Sequence, residues 1–340
     1  MDDSYTKAAQ LLATATHIVV LQADNPDGDS LASALALEAI LCDAGKEVTL
    51  VCGIDMPAHL RYLSGWDRVQ KELPHQFDMT VLVDASTLSL LATLESNGTL
   101  GWLKAKPFLV LDHHQTTNGL DFATLTINKR AVATGEVIYE LAKQTGLPLP
   151  IDAKKFIAVS IMSDSMGLTS EGTTVASIRY LADMVEDGVS LAELDVARRE
   201  LMKKEPDLLA YKGKLLQRVE LYHDNTIAVI SIPWDEIERY SSIYNPSMLV
   251  MDDMRLTIGV QVAIAFKVYN SGRVTAKIRC NSGAHIADKI AQSYGGGGHP
   301  YAAGFKINSV ANPHELKMEV IKKTAELLKE NALHTHNETV

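Results

Sequence analysis

Aspartate and histidine side chains close four separate apolar runs of this chain, and the repetition says more than any one of them. Residues 17–22 run into Asp24-Asn25-Pro26-Asp27-Gly28-Asp29, and residues 79–83 run into Asp84. Residues 107–111 run into Asp112-His113-His114, and residues 156–162 into Ser163-Asp164-Ser165. One aspartate at the end of a strand is as often a helix cap or turn residue as a functional group. Capping, however, does not call for aspartate after four runs together with a His-His pair. Hard divalent cations such as Mn²⁺ and Mg²⁺ take carboxylate oxygens, and one or two imidazoles move the preference toward Mn²⁺ and related transition ions. Two such ions a few ångströms apart position water, lower its pKa and neutralise phosphoryl oxygens during an in-line displacement. That chemistry requires the carboxylates to converge.

A second group of residues suited to anions lies near the C-terminus, in Tyr294-Gly295-Gly296-Gly297-Gly298-His299-Pro300 followed by Tyr301-Ala302-Ala303-Gly304-Phe305. Consecutive glycines let backbone N–H groups approach an anion at positive φ, making a nest, and His299 adds a side-chain donor. The run is neither a dinucleotide nor a Walker fingerprint, and by itself it also fits a flexible surface turn. Arg279 closes the segment RVTAKIRC and can grip a phosphate through two N–H groups, against the plainer reading of a surface salt bridge. Cys280 beside it has no partner base in the sequence, so no catalytic thiolate is expected.

These side chains need ordered elements to carry them. The first half reads as strand, acidic turn and helix: a strand at 17–22, a helix at 30–41 stopped near Gly45, and a strand at 47–51. Runs that each end in aspartate describe an α/β fold, a mostly parallel open sheet whose strand ends are decorated together, with helices at 134–144 and 175–185 covering its faces. The run at 156–162 is compatible with helix or strand. The expected organisation is a metal-binding domain over 1–188 and a helical linker over 189–223, with helices at 191–204 and 208–221. A smaller α+β domain follows over 224–332, and a frayed tail over 333–340. In the smaller domain Asn270-Ser271-Gly272 reads as a hairpin turn, with helices at 284–293 and 313–329.

Composition narrows the partners. The 340 residues are 46% hydrophobic, enough for two ordinary cores, and no apolar stretch is long enough to span a bilayer as a helix. A net charge of −10 repels long duplex nucleic acid on average while leaving small phosphorylated ligands open. Three cysteines without metal-ligand spacing, and an acidic N-terminus without an apolar leader, lead to the expectation of a reduced, cytoplasmic location with no membrane partner.

Val110-Leu111-Asp112-His113-His114 resembles the motif that names the DHH phosphoesterase superfamily. The segment from Asn25-Pro26-Asp27 through Gly28-Asp29-Ser30-Leu31-Ala32-Ser33 is similar to its first motif and Val83-Asp84-Ala85-Ser86 to its second, while Ser163-Asp164-Ser165 stands in the place of the fourth. The GGGGH-x-x-AAG block resembles the substrate loop of the C-terminal domain that accompanies these enzymes, so the likeness spans nearly the whole chain. The arrangement most resembles small bacterial proteins that degrade very short RNA, dephosphorylate 3′-phosphoadenosine 5′-phosphate, or hydrolyse linear and cyclic dinucleotides. The resemblance implies an Mn²⁺-dependent phosphoesterase with two ions, for which Mg²⁺ or Co²⁺ can substitute. Asp29, Asp84, His113 and Asp164 would hold one ion, and Asp27 with the bridging Asp84 the other. The catalytic group would be His114, Asp84 and Asp112. Arg279, Gly295, Gly296, Gly297, Gly298 and His299 would bind the nucleotide in a cleft between the domains, and a homodimer is implied.

The chain departs from that pattern in three places. Ala23 stands where the family places a histidine, which predicts a weakened first metal site unless Asp24 or a water fills the position. Met166 is inserted after Asp164-Ser165, so the loop there is expected to be reshaped, with Gly167 supplying the turn. Arg279-Cys280 replaces an Arg-Ser pair. Two other readings stand beside the nucleotide one: a pyrophosphate or short-polyphosphate hydrolase using similar ligands, and a nucleotide-binding sensor or interaction protein whose catalysis is impaired by Ala23.

Overall fold

The computed structural model describes residues 3–114 and 119–337, and the chain divides into two compact units, Met1–Lys203 and Lys204–Val340. The division falls inside the helical segment anticipated over 189–223. Among the described residues no helix is long and apolar enough to cross a membrane.

In the first unit the strands are β1 (His17–Leu21), β2 (Glu47–Val51), β3 (Met79–Val83), β4 (Phe108–Asp112) and β5 (Leu125–Asn128). The helices are α1 (Asp3–Thr14), α2 (Gly28–Asp43), α3 (Ala92–Ser96), α4 (Leu100–Lys104), α5 (Thr134–Thr145), α6 (Ile151–Asp164), α7 (Val175–Glu186) and α8 (Leu191–Met202). All strand pairings are parallel, in the order β2-β1-β3-β4-β5. Because side chains alternate along a strand, Ile18, Val20, Val81, Val83, Leu109 and Leu111 enter one core with α1, α2, α5 and α6, while Val19, Leu21, Leu82, Phe108 and Val110 enter another with α3 and α4. Both faces are covered, which is why the strands read as unbroken apolar runs. The chain leaves β1 toward β2 on one side and reaches β3 on the other, so the crevice beyond the strand ends opens between the first and third strands, where the acidic turns lie.

Helix α2 starts under the side chain of Asp27, which accepts a hydrogen bond from Ser30 N–H at 3.0 Å. It is apolar almost all round and runs through the core against α6. Gly28 permits that contact: a Cβ there would lie 2.2 Å from Ser163 Oγ. Gly135, in the first turn of α5, is held in the same way, 2.2 Å from Ser160 Oγ. Asp164 is therefore carried by the last turn of a helix and not by a strand end. A seven-residue apolar run does not distinguish the two; Pro150 just before the helix and the inward spacing of Ala153, Ile157, Ala158 and Ile161 do.

The second unit comprises α9 (Pro206–Leu216), β6 (Glu220–Tyr222), β7 (Ile227–Ile232), α10 (Trp234–Tyr240), α11 (Met251–Arg255), β8 (Val262–Val268), β9 (Val274–Cys280), α12 (Ala287–Gln292), β10 (Gly297–His299), β11 (Ala302–Ile307) and α13 (Pro313–Asn337). Its mixed sheet has the order β10-β11-β9-β8-β7-β6, with only β7 and β8 parallel. Ile264, Phe266, Ala276 and Ile278 pack on α12 and α13, whereas Ala228, Ile230, Ala263 and Ala265 on the other face pack on α9, α10 and α11. The helix expected over 208–221 ends at Leu216, because residues 220–222 find backbone partners along β7 and Glu220 finds Lys317 Nζ at 2.8 Å. Of the tail expected to fray, residues 333–337 belong to α13 and 338–340 lie outside the described residues.

The two glycine contacts predict that Gly28→Ala costs about 1–3 kcal/mol in urea unfolding, the usual range for overpacking a close contact. Adding Ser163→Ala to that variant should recover part of the loss, and strictly additive effects of the two substitutions would contradict the contact.

Candidate metal centre

Four side chains from four elements meet at one imidazole nitrogen. His113 Nε2, just beyond β4, lies 3.5 Å from Asp29 Oδ2 on α2, 3.4 Å from Asp84 Oδ1 after β3, and 3.5 Å from Asp164 Oδ2 on α6. These separations exceed those of a well-formed hydrogen bond, and Nε2 is buried with no such bond. Its other nitrogen, Nδ1, lies 3.2 Å from the carbonyl of Ala131. A carbonyl only accepts, so Nδ1 carries a proton, which leaves Nε2 as the nitrogen that would offer a lone pair to a bound ion. An imidazole nitrogen with a carboxylate oxygen each of Asp29, Asp84 and Asp164 within 3.5 Å of it offers the kinds of donor a divalent transition ion takes.

The metal-binding atoms fall into two overlapping groups that share His113, one of Asp29, His113 and Asp164 and one of Asp84, His113 and His114. Asp29 is fully buried and rigidly held: Thr134 N–H donates to Oδ2 at 2.8 Å, and Ser33 Oγ and Ser160 Oγ donate to Oδ1. Asp84 takes a left-handed backbone (φ +58) and accepts from Thr134 Oγ1 at 3.2 Å. A non-glycine residue at positive φ is uncommon, and here it bends the chain beyond β3.

The titration of the cluster reflects crowded negative charge in a dry place. Burial and Asp29 raise the Asp84 carboxyl well above its ordinary range, against the opposing pull of His113. Burial, then Asp29 and Asp27, push Asp164 up to about 7. Burial alone would lower His113, but Asp84 and Asp29 outweigh it and raise the imidazole to about 9. Burial also raises Asp29, opposed by His113 and by its hydroxyl and amide donors. Without a cation the cluster holds protons instead.

Other residues singled out from the sequence have different surroundings. Asp27 caps α2 and stands in neither group, although it is near enough to raise Asp84 and Asp164. Asp24, the suggested replacement for the missing histidine, is turned onto Thr93 N–H at 2.7 Å and also stands in neither group. Ala23 itself is buried in the apolar layer with Val51 and Leu91. Asp112 is wholly buried, with Oδ1 accepting from His113 N–H (2.8 Å), His114 N–H (3.2 Å) and His114 Nδ1 (2.8 Å), so it holds both histidines. His114 is half exposed, and its Nδ1 lies 3.7 Å from Asp84 Oδ1.

After Asp164 the loop turns through Met166 (φ +50), Gly167 (φ +71) and Leu168 (φ +69), left-handed in succession. Ser33, Thr134 and Ser160, which fix Asp29, were not among the expected site residues. Their signal was small hydroxyls among the core-facing positions of these helices, since buried hydroxyls need partners.

In the second unit the glycine run is not a four-amide nest. Gly295 N–H bonds Gln292 O at 3.1 Å and Gly296 N–H bonds Ala291 O at 2.8 Å, so both amides finish α12. Gly297, Gly298 and His299 form the edge strand β10, paired with Gly304, Ala303 and Ala302. Gly296 and Gly298 are needed for close approach, because a Cβ would lie 2.2 Å from Gly304 O and 2.6 Å from Ala302 O respectively. His299 is exposed, and Arg279 lies across β11 from it, both opposite Ala302. Cys280 is buried, which pushes its thiol up, away from thiolate chemistry.

Residues 17–163 match the DHH family, N-terminal domain, and residues 245–330 match the DHHA1 domain; the chain belongs to the DHH superfamily. It is 27% identical over 301 residues, 87% of this chain and 84% of the relative, to the bifunctional oligoribonuclease and PAP phosphatase NrnA of Thermus thermophilus. To the Bacillus subtilis protein of that name it is 23% identical over 84% of this chain and 87% of the relative. An exopolyphosphatase-related protein from Bacteroides fragilis shares the fold, with a TM-score of 0.79 over 98% of each chain at 18% identity. Family and metal-binding groups together define a metal-dependent phosphoesterase.

Protons and a divalent cation compete for the same atoms, so Mn²⁺ affinity should rise between about pH 6 and 9, with protons released on binding. Calorimetry in two buffers of different ionisation enthalpy measures both, and a pH-independent affinity without proton release would refute the cluster. Stability of the metal-free chain should move oppositely. Asp164 and His113 both bind protons more tightly folded than unfolded, so the unfolding free energy falls as pH rises from about 4 to 9.

Proposed function

We propose that this protein hydrolyses phosphoesters of small nucleotides, such as short RNA oligonucleotides, linear or cyclic dinucleotides, or 3′-phosphoadenosine 5′-phosphate, with Mn²⁺ as its metal. The observation that carries the reading is the convergence of Asp29, Asp84 and Asp164 on His113 Nε2. These four residues would hold one ion, and Asp84 with Asp27 a second. The bound ions supply an activated water and neutralise the phosphoryl oxygens.

The chain's own residues do the rest. Asp112 keeps the Nδ1 proton of His114 engaged, which leaves Nε2 of that ring to meet the scissile phosphate or the leaving oxygen. Asp29, fixed by Thr134, Ser33 and Ser160, cannot swing away when the charge on the phosphate changes, so the site needs little reorganisation during the reaction. Arg279 and His299 suit a second phosphate or the flanking nucleotide. The relatives named as oligoribonucleases and PAP phosphatases, together with the net charge of −10, favour short ligands over long polymers. The burial of Ala23 and the engagement of Asp24 by Thr93 support a weakening of the metal site that lacks a histidine at position 23.

A panel of dinucleotide, cyclic dinucleotide, phosphoadenosine phosphate and pyrophosphate tests the substrate class. Preferred turnover of pyrophosphate would refute the nucleotide reading, and tight nucleotide binding without turnover under Mn²⁺, Mg²⁺ or Co²⁺ would replace it with a sensor. Asp84→Asn or His113→Ala should lower kcat at least about 100-fold while the fold is retained, whereas Arg279→Ala or His299→Ala should act mainly on KM. Ala23→His should tighten the weaker of two Mn²⁺ binding steps.

A further inference from the structure

Beyond Arg279 and His299, the register of the second sheet lines up cations that no part of the proposed reaction uses. Across β10, β11, β9 and β8 one rank is His299, Ala302, Arg279 and Ala263, and the next is Gly297, Gly304, Lys277 and Ala265. A third rank, on β11, β9 and β8, is Lys306, Thr275 and Lys267. All three lie on the face opposite Ala276, Ile278 and Phe305, which enter the core with α12 and α13. Helices α9 to α11 cover this face at Ala263 and Ala265. Arg279, Lys277 and Lys267 thus follow one another diagonally along the margin of the cover, with only alanine and glycine beside Lys277.

Like charges at neighbouring sheet positions destabilise a fold, and among the described residues no carboxylate forms an ion pair that relieves them. The ion pairs described in this unit use Lys212, Arg218, Arg255, Lys317 and Lys323. The one hydrogen bond described for the Arg279 side chain goes to the carbonyl of Ile278 at 2.9 Å. Lys267 and Lys277 are only half exposed, and burial pulls both ammonium groups below the ordinary lysine range. The one charged neighbour acting on Lys277 is Arg279, and the one acting on Lys267 is Lys277. An ordinary solvated lysine face has free water or an acid beside each ammonium; this one has neither in full. A chain of net charge −10 that keeps such a strip presents a place for an anion with more than one charge.

Resting on the nucleotide reading above, we infer that Lys277 and Lys267, with Lys306 at the rim, form a binding site for a phosphate other than the one hydrolysed. The site makes the protein selective for nucleotides that carry such an additional phosphate. It lies beyond Arg279 and His299 and depends on two lysines whose alignment is a property of strand register.

The test compares diadenylate with and without a 5′-phosphate, using the full chain loaded with Mn²⁺. Calorimetry gives Kd, and initial rates give KM and kcat. The wild type should bind the 5′-phosphorylated dinucleotide about tenfold tighter or more, as expected for a charge-assisted phosphate contact. In Lys267→Gln/Lys277→Gln that ratio should fall toward one, with kcat for the unphosphorylated dinucleotide unchanged, and Lys277→Arg should keep the preference. Equal binding of the two dinucleotides by the wild type, or an undiminished ratio in the double variant, would overturn the site. If the lysine-dependent ratio is found without hydrolysis of either ligand, the site stands and the phosphoesterase reading falls. If both are hydrolysed and bind equally, the reverse holds.

Discussion

Three carboxylates held about one imidazole nitrogen at 3.4 to 3.5 Å, two of them buried, are the arrangement on which the rest of the first unit depends. Left to themselves these groups repel, and burial strengthens the repulsion. The fold therefore has to hold them in place. The parallel order β2-β1-β3-β4-β5 brings the ends of β1, β3 and β4 side by side, and α2 and α6 are drawn together by Gly28 against Ser163. Thr134, Ser33 and Ser160 then fix Asp29 through an amide and two hydroxyls. A divalent cation reverses the sign of the interaction, so ion binding and folding of this region are linked.

The same constraint bears on where the backbone of the first unit is strained. Asp84, Met166 and Leu168, all non-glycine residues at positive φ, lie immediately around the cluster. The loop that follows Asp164 is closed by main-chain bonds from Gly167 N–H to Met162 O and from Thr169 N–H to Ser165 O, and by Leu168 N–H to Ser165 Oγ, so its shape is determined by hydrogen bonding despite the inserted methionine. Such positions sacrifice some stability to aim side chains at a functional point.

Much of this was legible in the sequence, for identifiable reasons. Strands covered on both faces must be apolar throughout, so β1, β3 and β4 announce themselves and their terminal aspartates with them. Asp29, Asp84, His113 and Asp164 could be named as one set from motif order, although only the structure places Asp164 on a helix and Thr134, Ser33 and Ser160 behind Asp29. Asp24 and Asp29 are equally acidic on paper; one faces Thr93 and the other His113, a difference of direction that composition does not encode. Asp112 and the glycine run show the same limit. A buried carboxylate that orients two histidines and an exposed catalytic one have the same letter, and four glycines suit an anion nest or a close-packed edge strand equally well. The lysine strip was invisible because Lys267 and Lys277 become neighbours only through the pairing of β8 with β9.

The second unit obeys a complementary rule. Its sheet buries one face fully and the other only in part, and the uncovered part carries positive charge in a chain that is negative overall. Crowded carboxylates mark the first unit and a strip of cations on one sheet face marks the second. The central claim is that His113 Nε2 and its three carboxylates bind an ion. Its most direct test is an anomalous difference map from a crystal grown with Mn²⁺, recorded on both sides of the manganese absorption edge. The account predicts a peak bonded to His113 Nε2 and to carboxylate oxygens of Asp29, Asp84 and Asp164. A map of comparable quality with no peak there, or with manganese only elsewhere on the chain, would contradict it.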